Sequence, residues 1–330
     1  MKVIDMHCDT ILELLNHPEK GLFQNDLSID IQKMKKGDYL LQNFALFTDQ
    51  KALSIPEKQT MRLMDVFWKE IEKNKDYIAP VLCYEDIEKN EKASKISALL
   101  TLEDGGVVFN DLSMLRNYYR LGVRMIALTW NYPNGIGYPN FSLDDFTDYK
   151  QASSLQQIDT IHGLTDFGIQ YIREMERLGM IIDVSHLNDA GFYDVLKYTT
   201  KPFVASHSNA RSICPVARNL SDDMIRVMHA RGGVMGINFC GDFLEEHTMP
   251  NGPSRIEAMV RHILYIKEIA GIDCIGLGTD FDGIHSDLEI PDASCMNKLA
   301  HALSEHGFTQ EEIEKIFYKN VLRVYKEVLK

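Results

Sequence analysis

No stretch of the 330 residues approaches the roughly 20 consecutive apolar residues that cross a bilayer. The N-terminus has no basic region leading into an apolar segment, so no secretion signal is read there. There is no CxxC pair, and the six cysteines (Cys8, Cys83, Cys214, Cys240, Cys274 and Cys295) are scattered. In a chain this long they read as reduced, mostly buried thiols rather than a disulfide framework. Positive charge is in short supply, giving a formal net charge of −13. That balance disfavours nucleic-acid backbones and anionic membranes as partners, because both would be repelled. No GxGxxG follows the first apolar run, which weakens an open doubly wound sheet as the fold. Internal repeats, linkers and low-complexity blocks are also missing, so one domain over residues 1–330 is the economical expectation.

What is present is a recurring alternation. Eight short, β-branched-rich runs stand out: KVIDMHCD at the start, then 39–49, 96–104, 123–131, 180–186, 202–208, 233–239 and 274–283. Near-continuous apolar strands of this kind suit a parallel sheet covered by helices. Amphipathic segments lie between them. Residues 56–75 read as a helix with Met61, Leu63, Met64, Val66 and Phe67 at apolar, core-facing positions. A second helix opens at Thr165, and a third starts at Pro253, a favoured first helical position. Strand alternating with helix eight times predicts a (β/α)8 TIM-type barrel. The tail from about 294 adds two C-terminal helices, and 132–163, rich in Tyr, Asn, Gly and Pro, reads as a long loop after the fourth strand.

Polar residues gather at the ends of these runs: HCD, ED, DVSH, SHS and TDFD. In a barrel the carboxyl ends of the strands converge on the face that carries the chemistry. His7, Asp9, Glu103, His186, His207 and Asp280 are therefore expected to meet. Residues i and i+2 of a strand share a face, so His7 and Asp9 should face the mouth while Met6 and Cys8 face the helices. A lone buried histidine is ordinarily a hydrogen-bonded core residue. His17, His162, His229, His247, His262, His285, His301 and His306, which lack this placement, are assigned to solvent or capping roles. Asp282, in DFDG, reads as turn chemistry. Three imidazoles and three carboxylates aimed at one cavity suit divalent cations, zinc first, with manganese, iron or cobalt open. The number of donors exceeds one tetrahedral site. Two cations roughly 3.5–4 Å apart, bridged by Glu103 and a water acidified to a hydroxide, use them better. Asp280 is left to shuttle the proton.

The chain resembles the membrane (renal-type) dipeptidase family of metal-dependent hydrolases. The segments that carry the resemblance run in order over almost the whole length: DMHCDT, LEDGG at 102–106, GVRMIALTWN at 122–131, GLTDFG at 163–168, DVSH at 183–186, SHSNAR at 206–211, ARN at 217–219 and GTDFDG at 278–283. The resemblance implies a zinc-dependent dipeptidase with His7 and Asp9 on one metal, His186 and His207 on the other, and Glu103 bridging. It implies that Arg218 pairs with the terminal carboxylate of the dipeptide, for which a planar guanidinium is well shaped. Asp280 would handle protons and the substrate's amino group. The family tolerates a D-residue at the C-terminal position, and some members open β-lactam rings.

One position departs from the pattern. Animal members carry a substrate-contacting histidine in LTH at the end of the fourth strand; here Trp130 stands there, in LTWN. Its only donor is the indole N–H, so it is expected either to contact substrate or to form a plain cavity wall. Two other functions stay open: a related binuclear hydrolase of cyclic amides or lactones, and a metal-bound scaffold with weak catalysis. The animal forms' secretion and anchor signals are not seen, so a soluble cytoplasmic enzyme is expected, and the resemblance suggests a homodimer.

Overall fold

Both faces of each strand are covered, which is why the runs carry so few alternating polar residues. The computed structural model describes residues 1–141, 158–246 and 251–330. Its strands are β1 (Val3–Asp5), β2 (Tyr39–Phe47), β3 (Ile78–Pro80), β4 (Ile96–Glu103), β5 (Val123–Ala127), β6 (Ile181–Asp183), β7 (Val204–Ala205), β8 (Val234–Ile237) and β9 (Ile275–Leu277). All pair in parallel. The ring runs β1–β2–β4–β5–β6–β7–β8–β9 and closes back on β1, so the eight expected runs form a closed barrel. The ninth strand, β3, lies outside that ring and pairs only with the first half of β4, from Ile78 opposite Ile96 to Pro80 opposite Ala98.

Helices occupy the outside. Pro56–Lys73, Leu112–Arg120, Asp166–Leu178, Asp189–Tyr198, Asp222–Ala230 and Ile256–Ala270 follow β2, β4, β5, β6, β7 and β8. Their starts obey capping chemistry: Thr165, Asn188 and Ser221 each accept a hydrogen bond from the third helical amide. Pro253 is not a first helical residue. Ser254 is held extended against 287–289, and the helix opens only at Ile256. Leu63, Met64 and Phe67 are buried as expected, but Met61 is 45% exposed, because it falls on the outer face of its helix. The expected loop 132–163 is described only over 132–141 and 158–163, without helix or strand; the remainder lies outside the described residues.

Inside the ring, Ile4, Leu41, Leu99, Met125, Ile181, Val204 and Val234 form one apolar cluster, one from each strand of the barrel except β9. At that level β9 supplies Gly276, where a Cβ would lie 2.9 Å from Val234 and 3.1 Å from Met6. Met6 fills that space. It therefore faces the barrel interior with Ile4, not the helices, as strand alternation counted from Ile4 requires. Cys8 does face the outer, helix-covered core. The floor is sealed by the C-terminal helix Asn320–Val328, whose Val321, Val324 and Tyr325 join the interior cluster. Tyr325 Oη accepts a 2.7 Å bond from Asn43 Nδ2. A π-turn at Lys315–Lys319 joins that helix to Gln310–Glu314, so the last expected helix is present with one widened turn.

With the floor closed, the open end is the carboxyl end. Phe47, Glu103, Ala127, Asp183 and Val204 stand level across β2, β4, β5, β6 and β7. The next residues of each strand make the rim.

Candidate metal centre

Asp5 anchors the first element of the rim. Its carboxylate accepts from Thr279 N at 2.9 Å, Thr279 Oγ1 at 2.7 Å and His7 N at 3.3 Å, tying the end of β1 to the end of β9. Asp9 N donates to Phe281 O. His7 and Asp9 thus rise beside Asp280. A Cβ on Gly283 would lie 2.1 Å from Asp9 Oδ2, so the turn of GTDFDG needs glycine to let that carboxylate in. Asp282 is more than a turn residue: its carboxylate accepts from Ser28 N and Thr10 Oγ1, pinning the loop to the first helix.

The expected residues converge. Glu103, the last residue of β4, reaches His7 Nε2 with Oε2 at 3.3 Å and His186 Nε2 with Oε1 at 3.1 Å; His207 Nε2 lies 3.8 Å from Oε1. Asp9 Oδ2 is 3.4 Å and Asp280 Oδ1 3.9 Å from His7 Nε2. The rings of His7 and His207 stack with centroids 3.9 Å apart. Asp9, Glu103 and all three histidines are buried. His186 (φ 66°) and Asp280 (φ 62°) hold left-handed backbone, a conformation that costs non-glycine residues energy and clusters at functional sites.

Electrostatics sharpen the picture. Burial pushes the Glu103 carboxyl up to about 7, with Asp9 and Asp280 adding to the rise and His7 opposing it. Burial also raises Asp280, with Asp9 reinforcing and His7 and Arg218 opposing. His186 and His207 are driven well below the usual imidazole value by burial and by the charges of Arg218 and His7. For His7, burial opposes protonation, but Glu103 and Asp9 outweigh it and hold the imidazole value well up.

The same geometry answers whether a metal fits. His186 Nδ1 is taken by Asn131 Oδ1 at 2.9 Å, and His207 Nδ1 by Ser206 Oγ at 2.7 Å. Their Nε2 atoms then face each other at 3.1 Å. His7 Nε2 and Asp9 Oδ1 are buried without a hydrogen bond. Imidazole nitrogens and carboxylates packed this closely out of water are costly unless a cation lies between them. His7, Glu103 and His207 place ligand atoms within 4.8 Å of one another, and so do His7, Asp9 and Asp280. The donor set fits divalent cations.

Arg218 stands at the same rim, 3% exposed. Nη1 donates to Ser208 Oγ at 2.7 Å, while Nε and Nη2 have no partner. Arg211, also in a quoted motif, differs: its guanidinium is used by both oxygens of Asp189 at 2.7 Å. Trp130 is half-buried in an aromatic wall, edge-on to Phe47 at 4.7 Å and Tyr132 at 5.6 Å. Its neighbour Asn131, overlooked in the sequence, is the one that touches a site histidine. Asn238 was also missed; its Nδ2 holds Asp280 Oδ2 at 3.0 Å. The only signal for either was position at a strand end. His262 is neither a solvent nor a capping residue. It is fully buried, its Nδ1 accepting from Ala210 N and its Nε2 donating to Leu244 O. His247 lies outside the described residues.

The sequence profile of the membrane dipeptidase family, peptidase family M19, matches residues 1–330. The chain belongs to that family. An uncharacterized dipeptidase of Schizosaccharomyces pombe is 32% identical over 347 aligned positions, covering 99% of this chain and 80% of that protein. Among solved structures, a family M19 metallopeptidase, dipeptidase AC, superposes with TM-score 0.89 at 24% identity, over 100% of this chain and 99% of the other. A Rhodobacter sphaeroides metallopeptidase, bound to a phosphinate mimic of L-Ala-D-Ala, gives TM-score 0.88 at 23% identity and 99% coverage of both chains. These two likenesses concern the fold; membership rests on the profile. The M19 chain is thus a metallo-dipeptidase.

Proposed function

We propose that this metallo-dipeptidase acts as one catalytic domain, holds two divalent cations, zinc foremost, and hydrolyses dipeptides, including those ending in a D-residue. The observation that carries this reading is the division of Glu103: one oxygen faces His7, the other faces His186 and His207. His7 and Asp9 would hold one cation and His186 and His207 the second, with Glu103 shared. When bound, such cations supply Lewis acidity, bringing a water's pKa toward neutrality and polarising a peptide carbonyl.

The chain's own groups do the rest. Arg218 offers two free guanidinium nitrogens to the substrate's terminal carboxylate, which selects a scissile bond one residue from the C-terminus. Asp280, its pKa raised by burial and its carboxylate held by Asn238, is placed to pass a proton to the leaving amine and to face the substrate's amino group. Trp130 and Phe47 wall the mouth and bound the space for a substrate side chain. The inclusion of D-residues is supported by the L-Ala-D-Ala mimic bound by the Rhodobacter sphaeroides neighbour. Among the described residues no helix is long and apolar enough to cross a membrane. All six thiols are free, which suits a reducing cytoplasm, and the resemblance supports a homodimer.

The test is a panel of L-L, L-D and Gly-D dipeptides, a tripeptide and a lactone. Each is assayed on chelator-stripped protein before and after zinc is restored. Turnover of dipeptides only after restoration is expected. Turnover of the lactone alone, or undiminished activity after stripping, would overturn the reading.

A further inference from the structure

His186 and His207 are supported behind the rim in different ways. Asn131 gives His186 Nδ1 an amide oxygen, an acceptor that needs no further arrangement. Ser206 gives His207 Nδ1 a hydroxyl, which can donate or accept. That contact alone leaves the tautomer of His207 open.

Asp183 closes the question. It is buried at the end of β6, and its Oδ1 accepts from Ser185 N and Ser206 N, each at 2.9 Å. Its Oδ2 accepts the Ser206 hydroxyl at 2.5 Å. Ser206 has one proton, and Asp183 takes it. Ser206 Oγ can then only accept from His207 Nδ1–H, which leaves the Nε2 lone pair facing Glu103 and His186. Ser185 completes the arrangement: its Oγ accepts from His207 N at 3.1 Å and lies 3.3 Å from Ser206 Oγ. Asp183 and Ser185 of DVSH and Ser206 of SHS thus build one cradle across the ends of β6 and β7.

We propose that Asp183 and Ser206 are positioning residues that lock His207 in its metal-binding tautomer and place a buried negative charge behind it. The proposal rests on the reading of His207 as a ligand. Partners of this kind orient a ligating imidazole and raise its donor strength, and their loss typically weakens metal binding about 10- to 100-fold.

Asp183→Asn separates this role from a merely structural one. The two backbone N–H groups still need an acceptor, so the new amide oxygen must stay at the Oδ1 position. Its NH2 is then turned toward Ser206 Oγ. With its anionic acceptor gone, Ser206 is expected to turn its proton to the nearer His207 Nδ1, so that His207 presents a protonated Nε2 to the metal side. The volume and the backbone ties are kept, but the tautomer is inverted.

The measurement is cobalt(II) titration of metal-free protein against a competing chelating indicator, following visible absorption. Wild type is expected to take up two equivalents. Asp183→Asn should bind one normally and the second about 10- to 100-fold more weakly, with an altered cobalt spectrum. Ser206→Ala keeps both backbone bonds of Asp183 and should shift the same site, so it answers the question if the first variant fails to fold. Wild-type affinity and spectrum in either variant overturn the relay. His207→Ala distinguishes the two layers. If it keeps full cobalt uptake, the ligand reading itself falls. If it loses one equivalent while Asp183→Asn loses none, only the relay falls.

Discussion

Replacing Arg218 with methionine tests the substrate-docking reading in a way that separates binding from stability. The guanidinium is 3% exposed, and two of its nitrogens are buried without partners. Burial lowers its pKa, while Asp280, Asp183 and Glu103 help keep it charged. In the free protein this charge is poorly compensated, so a methionine of similar length relieves a desolvation cost. The loss on the protein side is one charge-assisted bond to Ser208 Oγ, worth about 1.5–3 kcal/mol and offset by that relief. Melting of the metal-free protein should therefore change little. Substrate binding should change much. Hydrogen bonds to charged groups contribute about 1.5–3 kcal/mol each, and part of the gain from two is offset by desolvating the carboxylate. A net loss of about 3 kcal/mol corresponds to roughly a 100-fold rise in KM for a dipeptide. The assay is steady-state hydrolysis of Ala-Ala and of its C-terminal amide by both proteins. The amide has no carboxylate, so wild type should handle it as poorly as the variant handles Ala-Ala, and the variant should handle both alike. An unchanged KM for Ala-Ala in the variant refutes the reasoning, and so does an amide that wild type hydrolyses as well as the free acid.

His207→Ala should lose one metal equivalent by elemental analysis and most dipeptidase activity, because one cation then keeps too few ligands; full metal content and turnover would remove His207 from the site. Tyr325→Phe deprives Asn43 Nδ2 of its acceptor on the sealed floor and should destabilise the protein by about 1–2 kcal/mol in urea denaturation, without altering KM; an unchanged midpoint would deny that bond a part in sealing the floor. His262 should mark an acid limit of stability. Burial lowers its pKa to about 4, against an ordinary value of 6.5, with Arg261 adding to the fall and the Leu244 carbonyl opposing it, and Nδ1, where the extra proton would go, already accepts from Ala210 N. The unfolded chain then binds the extra proton first, so stability is lost as pH falls from about 6.5 to about 4, by on the order of 3 kcal/mol. His262→Gln should flatten the urea-midpoint profile over that window; a profile as steep as wild type would assign the loss elsewhere.

The barrel was legible because each of its eight strands is a short apolar run with a polar residue at its end, and that pattern survives any uncertainty in helix boundaries. β3 was not legible, since IAP is three residues with a proline and pairs with only half of β4. Met6 was misplaced because alternation was counted back from His7 and Asp9, which lie past the end of β1, whereas counting from Ile4 puts Met6 in the interior beside the space left by Gly276. The convergence of His7, Asp9, Glu103, His186, His207 and Asp280 followed from chain direction alone, as every barrel strand points the same way. The supporting residues did not. Asn131, Asn238, Asp183 and Ser206 act through hydrogen bonds to side chains from other strands, and no spacing within one segment encodes such contacts. His262 shows the reverse error: on a helix it looked ordinary, yet it binds two backbone groups brought near only by folding.

The most direct test of the shared-carboxylate site is anomalous diffraction at the zinc edge from crystals of the zinc-loaded protein. The account predicts two peaks, one within ligand distance of His7 and Asp9 and the other of His186 and His207, with Glu103 reaching both. A single peak, or zinc bound away from Glu103, would contradict it.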